Sequence, residues 1–233
     1  MIKKNNTIFI ACDTSSLSKI KKIIRLTKNT PLNIGYKFGL EFFNSKHGRG
    51  FISKLPKHHV IWLDLKLKDI PNTVASSIHS LKDLTNVRYL TIHASGGMKM
   101  MQAAKQAAAK TNKKLKILAV TVLTSFSEKS IKQTGHTKSI EKIVIQQVSL
   151  AKKAKLDGIV CSGHEVKSIK TICKKMQIVT PGIRLERDSK GDQQRIMTPS
   201  QAFQNGATEI VIGRSITNGN IKKNIQKLIT SLQ

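Results

Sequence analysis

Acidic residues are scarce in this chain of 233 residues: thirteen Asp and Glu stand against forty-one Lys and Arg, a net charge of +28. Aromatic residues make up only 4%, too few for the stacking platforms that hold single-stranded nucleic acid. Three cysteines, Cys12, Cys161 and Cys173, form an odd, sparse set without metal-ligand spacing, which excludes a disulfide-stapled mini-protein. Long apolar runs are missing too. A stretch such as Ile117 to Leu123 falls far short of the ~20 residues of a membrane-spanning helix. A secretory leader is not expected, because the apolar run after Lys3 and Lys4 lasts only from Ile8 to Cys12 and stops at Asp13. These absences together lead to the expectation of a reduced, cytoplasmic protein with no membrane association.

The positive charge invites a nucleic-acid reading. Its distribution argues against one. The basic residues are spread along the whole chain, and 34 of the 41 are Lys with only 7 Arg, whereas Arg is the usual reader of base edges. A Lys-, Asn- and Ile-rich sequence is also what an A/T-rich genome writes. A general positive field would still draw in a multiply charged anionic substrate.

The sequence alternates between short β-branched runs and amphipathic helical stretches, about eight times over. Strands are expected at Thr7–Cys12, Leu32–Lys37, His59–Leu65, Val87–His93, Leu115–Val122, Asp157–Cys161, Gln177–Thr180 and Glu209–Ile212. Most are continuous apolar runs, as parallel strands buried on both faces require. Between them, Leu17, Ile20, Ile23 and Ile24 recur at helical spacing, as do Met98, Met101, Ala104 and Ala108, and then Ile140, Ile143, Val144, Val148 and Ala151. Eight such units in a chain of this length predict an α/β fold, a single-domain (β/α)8 TIM barrel over residues 1–233. A doubly wound open sheet would place a Gly-rich turn after the first strand. Cys12-Asp13-Thr14-Ser15-Ser16 has no glycine.

In such a barrel the chemistry belongs at the C-terminal ends of the strands. Asp13 follows the first, Lys37 ends the second, and the third runs into Asp64-Leu65-Lys66-Leu67-Lys68-Asp69. In a chain so poor in acids, this gathers alternating charge where an active site is expected. Residues two apart on a strand share a face, so Asp64 and Lys66 point the same way. Carboxylates on either side of a lysine favour its ammonium form, and a fixed ammonium can stabilise a developing carbanion and then protonate it. Pattern alone also fits a structural salt-bridge ladder, since D-x-K-x-x-D is short.

The last strands add a second signal. Gly182 and Arg184 close the seventh, and Gly213 with Arg214 closes the eighth. Those loops are where barrels of this kind bind phosphate, and arginine supplies a bidentate fork for its oxygens. The polar segment from Leu185 to Arg195 contains Gly191 and reads as a lid, from which Gln193 could reach that phosphate. His93 reads as a buried, hydrogen-bonded histidine, and Cys12 and Cys161 as core residues. The other histidines lack partners at metal spacing, so no metal is expected.

These blocks, in this order, resemble the orotidine 5′-phosphate decarboxylase family in its bacterial form. The resemblance runs through Ala11-Cys12-Asp13, Lys37 with Gly39, Asp64 to Thr73, His93-Ala94-Ser95-Gly96-Gly97, Ala119 to Ser125, Thr180 to Arg184, Gly191-Asp192-Gln193, Arg195 to Pro199, and Val211-Ile212-Gly213-Arg214. It implies a cofactor-free, metal-free carboxy-lyase that converts orotidine 5′-phosphate to UMP and carbon dioxide in pyrimidine biosynthesis. Lys66 is then the proton donor to C6, within a charge network of Lys37, Asp64, Lys66 and Asp69. The resemblance further implies a homodimer in which Asp69 and Thr73 reach the neighbouring subunit's site. Asp13 and Lys37 would hold the ribose, Thr124 the pyrimidine edge, and Arg184, Gln193, Gly213 and Arg214 the phosphate end. Two rivals remain: a metal-dependent sugar-phosphate decarboxylase or lyase on the same barrel, and a basic RNA-binding module.

Overall fold

The computed structural model describes residues 6–186, 188 and 195–233. Eight parallel strands pair in chain order and close on themselves: β1 Ile8–Ala11, β2 Ile34–Gly39, β3 Val60–Leu67, β4 Val87–His93, β5 Lys116–Val120, β6 Gly158–Val160, β7 Gln177–Ile183 and β8 Glu209–Ile212. The closing pair is β1 with β8, in register from Ile8↔Ile210 to Ile10↔Ile212. Among the described residues no helix is long and apolar enough to cross a membrane.

The return helices form because their apolar residues recur on one face. Helix α1 (Leu17–Thr27) starts where the Ser16 side chain accepts from the Lys19 amide at 3.3 Å, and it buries Ile20, Ile23, Ile24 and Thr27. After it come α2 (Gly48–Ser53), α3 (Pro71–His79), α4 (Gly97–Thr111), α5 (Ile140–Lys153), α6 (Val166–Ile169), α7 (Pro199–Asn205) and α8 (Ile221–Ser231). Helix α5 buries Ile140, Ile143, Val144, Val148 and Ala151, the same five residues that the spacing selected. Helix α7 carries start and stop signals together: a capping box between Thr198 and Gln201, Pro199 in its first turn, and Gly206 in the left-handed region at its end.

Two apolar shells result. The outer one lies between strands and helices and includes Ile10, Phe38, Leu63 and Ile212. The inner one fills the barrel with Phe9, Trp62, Tyr89, Leu118, Val120, Val160, Val179 and Val211, which alternate with outward residues along their strands. Phe9 is the hub, meeting Trp62 at 5.0 Å and Tyr89 at 5.3 Å between ring centroids, both edge-on. The packed interior leaves the mouth at the C-terminal strand ends as the place for a site.

One irregularity shapes that mouth. Strands β3 and β4 pair Leu63 with Leu90 but then Leu67 with Ile92, so β3 bulges over 64–66. Lys66 takes a left-handed backbone, φ 49°, which costs a non-glycine residue of order 1–3 kcal/mol. Simple strand alternation therefore does not bring Asp64 and Lys66 together; a bulge does.

Candidate active site

A cavity of about 770 Å³ opens at this mouth. Asp13, Lys37, Asp64 and Lys66 line one side, Thr124 and Ser125 another, and Gly182, Arg184, Gly213 and Arg214 a third. With Val160 and Cys161 from the end of β6, residues from seven strand ends or the loops after them converge, as the barrel topology demands.

The charged side is a chain of ion pairs. Asp13 Oδ1 lies 2.9 Å from Lys37 Nζ, which lies 3.2 Å from Asp64 Oδ2. The same Asp64 oxygen accepts from Lys66 Nζ at 2.8 Å. Thr91, from the neighbouring strand, donates its hydroxyl to Asp64 Oδ1 at 2.8 Å and accepts the Lys66 amide at 3.0 Å. This threonine therefore pins both the carboxylate and the bulged backbone. Gly39 leaves the room required: a Cβ there would stand 3.1 Å from Asp13 Oδ1.

Burial alone would push the Asp64 carboxyl up, yet Lys37 and Lys66 outweigh it and hold the carboxyl below the usual carboxylate range. Burial likewise works against the Lys37 ammonium, and Asp64 and Asp13 outweigh it and raise its pKa. Both groups are charged at neutral pH. Their desolvation is offset because each touches an opposite charge. His93 follows the opposite course: burial, then Lys66 and Lys68, keep its ring neutral. It is half-buried, and its ring has no hydrogen-bond partner among the described residues, so the expected buried, bonded histidine is not what the structure shows. Cys12 and Cys161 are buried, and burial pushes each thiol up to about 12.

The third side is built by β7 and β8. Strand β7 runs on through Pro181-Gly182-Ile183, past the expected end at Thr180. Gly182 adopts φ 76°, the left-handed region that favours glycine, and Arg184 follows it, buried, donating to the Ile183 carbonyl at 2.9 Å. Gly213 and the exposed Arg214 face the same cavity.

Gln193 lies outside the described residues, together with most of the expected lid. The lid's expected end at Arg195 is instead anchored, half-buried in an ion pair with Glu165. Asp69 and Thr73 are exposed and do not line the cavity; Asp69 Oδ1 accepts the Ile70 amide at 2.7 Å. Reasoning from sequence missed Thr91, although a hydroxyl between Leu90 and Ile92 on an inward strand position was a readable signal. It also missed Lys19, Trp62 and Asn218, which line the cavity. Among the described residues no group of three or more His, Cys, Asp or Glu side chains gathers as a metal cage would require.

The profile of the Orotidine 5′-phosphate decarboxylase / HUMPS family matches residues 6–227. The chain belongs to this family. It is 42% identical over 213 residues to the orotidine 5′-phosphate decarboxylase of Sphingopyxis alaskensis, covering 90% of this chain and 91% of that one. It is 39% identical over 228 residues to the Fusobacterium nucleatum enzyme of the same name, covering 97% and 94%. The crystal structure of orotidine 5′-phosphate decarboxylase from Lactobacillus acidophilus superposes with a TM-score of 0.83 at 30% identity, covering 98% of this chain and all of that one. The family's barrel is thus present over nearly its whole length.

Proposed function

We propose that the chain decarboxylates orotidine 5′-phosphate to UMP and carbon dioxide, the closing step of pyrimidine nucleotide synthesis, as a cytoplasmic homodimer. The observation that carries the chemistry is the chain of ion pairs Asp13–Lys37–Asp64–Lys66 in the cavity, which Arg184 and Arg214 also line. A nucleotide with an anion at each end suits that layout.

In this reading Asp13 and Lys37 hold the ribose hydroxyls and Thr124 meets the pyrimidine edge. Arg184, Gln193, Gly213 and Arg214 take the phosphate end. The bond from C6 to the carboxylate breaks, carbon dioxide leaves, and the electron pair stays on C6. The Lys66 ammonium stabilises that pair and passes a proton from Nζ to C6. Solvent then reprotonates the lysine. The gain in charge stabilisation costs no reorganisation, because Asp64 and Thr91 already hold Lys66 in place. No organic electron sink is required.

Asp69 completes the alternation from the partner subunit, with Thr73 beside it. Two observations support an interface there. Asp69 and Thr73 are exposed at the mouth side of β3. Of the large exposed apolar residues among the described ones, Leu40 (53%) directly follows β2 and Ile70 (66%) comes three residues after the end of the neighbouring β3. A sugar-phosphate lyase that used these carboxylates to hold a metal is less well served. Lys37 and Lys66 already occupy Asp64 Oδ2, and Thr91 occupies Oδ1.

The test is the fall in orotidylate absorbance with purified protein in the presence of a chelator. Turnover should persist in chelator. Its loss there, with recovery on adding a divalent cation, would favour the metal-dependent alternative.

A further inference from the structure

We infer that Arg195 and Glu165 form a positioning pair that keeps the cavity wall of Leu123, Thr124 and Ser125 in register with the wall of Gly182 and Arg184. The Arg195 guanidinium makes an ion pair with Glu165 through Nη1. Its Nη2 donates to the carbonyls of Leu123 at 3.1 Å and Val122 at 3.4 Å. The two side chains are 16% and 6% exposed, and neither lines the cavity. Their action on substrate therefore passes through the loops they hold.

The loop after β5 needs such a hold. Strand pairing reaches the Thr121 amide, which donates to the Val160 carbonyl at 3.0 Å, and goes no further. Beyond it the Leu123 carbonyl also accepts the Phe126 amide at 3.0 Å, while the buried Val122 carbonyl needs a donor from outside the loop, since unpaired buried backbone groups are costly. A guanidinium supplies several N–H groups in a rigid plane, so one side chain can serve a carboxylate and two carbonyls together; an ammonium cannot match that geometry. Glu165 sits on the loop after β6 and is fixed by its own backbone, its amide donating to the Ser162 carbonyl at 3.1 Å.

The other end of the link is backbone. Met197, two residues on, bridges to Ile183. Its amide donates to the Gly182 carbonyl at 3.2 Å, and its carbonyl accepts the Arg184 amide at 3.0 Å. One short piece of chain, 195–197, thus ties the loops after β5 and β6 to the end of β7. The pair acts on the wall that meets the pyrimidine, while Gly182 and Arg184 keep their own strand support.

This inference rests on the reading of the cavity as a nucleotide site. Its test compares two ligands, UMP and ribose 5-phosphate, on wild type, Arg195→Lys and Glu165→Gln, with thermal melting run alongside. Glu165→Gln keeps size and an acceptor, so it serves if Arg195→Lys does not fold. In folded variant, the UMP dissociation constant should rise about tenfold or more, as a displaced wall would cause, while that of ribose 5-phosphate stays within about twofold. A purely structural role would lower the melting temperature and leave both dissociation constants of the folded fraction alone. Unchanged UMP binding, or equal weakening of both ligands, would overturn the inference. A wild-type chain that bound ribose 5-phosphate but not UMP would instead sink the nucleotide reading, and the inference with it.

Discussion

At the mouth of the barrel Asp64 lies against Lys37 and Lys66 and stays ionised. At the base Glu209 lies against Tyr89 and Gln177, whose side chains donate to its Oε1 at 3.0 and 2.8 Å. Burial pushes that carboxyl up to about 7, and neither these donors nor Lys116 brings it back. Its Oε2 has no hydrogen-bond partner among the described residues, which further disfavours the charged form. Two buried carboxyls at opposite ends of one barrel are therefore shifted in opposite directions: Asp64 is held ionised, while Glu209 keeps its proton up to about pH 7. The base network links Tyr89, Gln177 and Glu209 by hydrogen bonds, with no Glu209 ion pair among the described residues. At the mouth the chain of charges runs, among the described residues, from Asp13 to Lys66. In the proposed homodimer, the partner subunit's Asp69 would extend the charges at the mouth.

Substitutions at the two ends should separate their roles. The largest effect belongs to Lys66→Ala, which on the proposed mechanism removes the proton donor and the cation nearest C6 at once. Turnover should fall by more than about 10³-fold, the upper range for losing one preorganised charge. The melting temperature should change little, because Asp64 keeps its ion pair with Lys37 and the part-exposed Lys66 side chain contributes little packing. A variant that kept a tenth of wild-type turnover would remove Lys66 from the chemistry.

Glu209→Gln should do the reverse. The folded state holds the Glu209 proton up to about pH 7, while the unfolded chain releases it near the ordinary glutamate value of 4.5. Between these values the folded state binds more protons, so stability falls as pH rises through the window, by up to about 3 kcal/mol. Denaturant unfolding at pH 5 and pH 8 should show that slope in wild type and a flatter one in Glu209→Gln, with turnover per folded molecule unchanged. Equal slopes would mean that Glu209 is ionised at the base as Asp64 is at the mouth.

A smaller effect is expected of Thr91→Val. It leaves Asp64 Oδ1 and the Lys66 amide without their shared partner, a cost of about 1–3 kcal/mol. Steady-state kinetics should show kcat lowered about tenfold or more, with KM changed much less, since the misplaced group acts on the reacting atom. A rise in KM alone would make Thr91 a ground-state binding residue.

Much of this architecture was readable in the sequence. Strands β4 and β8 fall where their apolar runs lie, and α5 buries the residues its spacing selects. Strand β7 runs longer than its run suggested, because Pro181 and Gly182 read as a turn while the barrel uses them as a strand end. At the mouth, residue types and order pointed to Asp13, Lys37, Asp64 and Lys66, but the bulge that joins the last two has no local sequence signature. The base network was hidden for a different reason: Tyr89 and Glu209 are 120 residues apart, and only barrel closure brings them together. Arg195 was assigned to a polar lid by its neighbours in sequence, whereas its partners are 30 and 72 residues away.

The account turns on the mouth being completed by a second chain, and subunit mixing tests that most directly. Lys66→Ala homodimers still carry Asp69, and Asp69→Ala homodimers still carry Lys66. With exchange shown by mass-tagged subunits, random assortment makes half the dimers mixed, each with one intact site. Roughly a quarter of wild-type activity should then return, by the symmetry of a two-fold interface. Confirmed heterodimers without recovered activity would contradict the account, and Asp69 and Thr73 would have to be removed from the site.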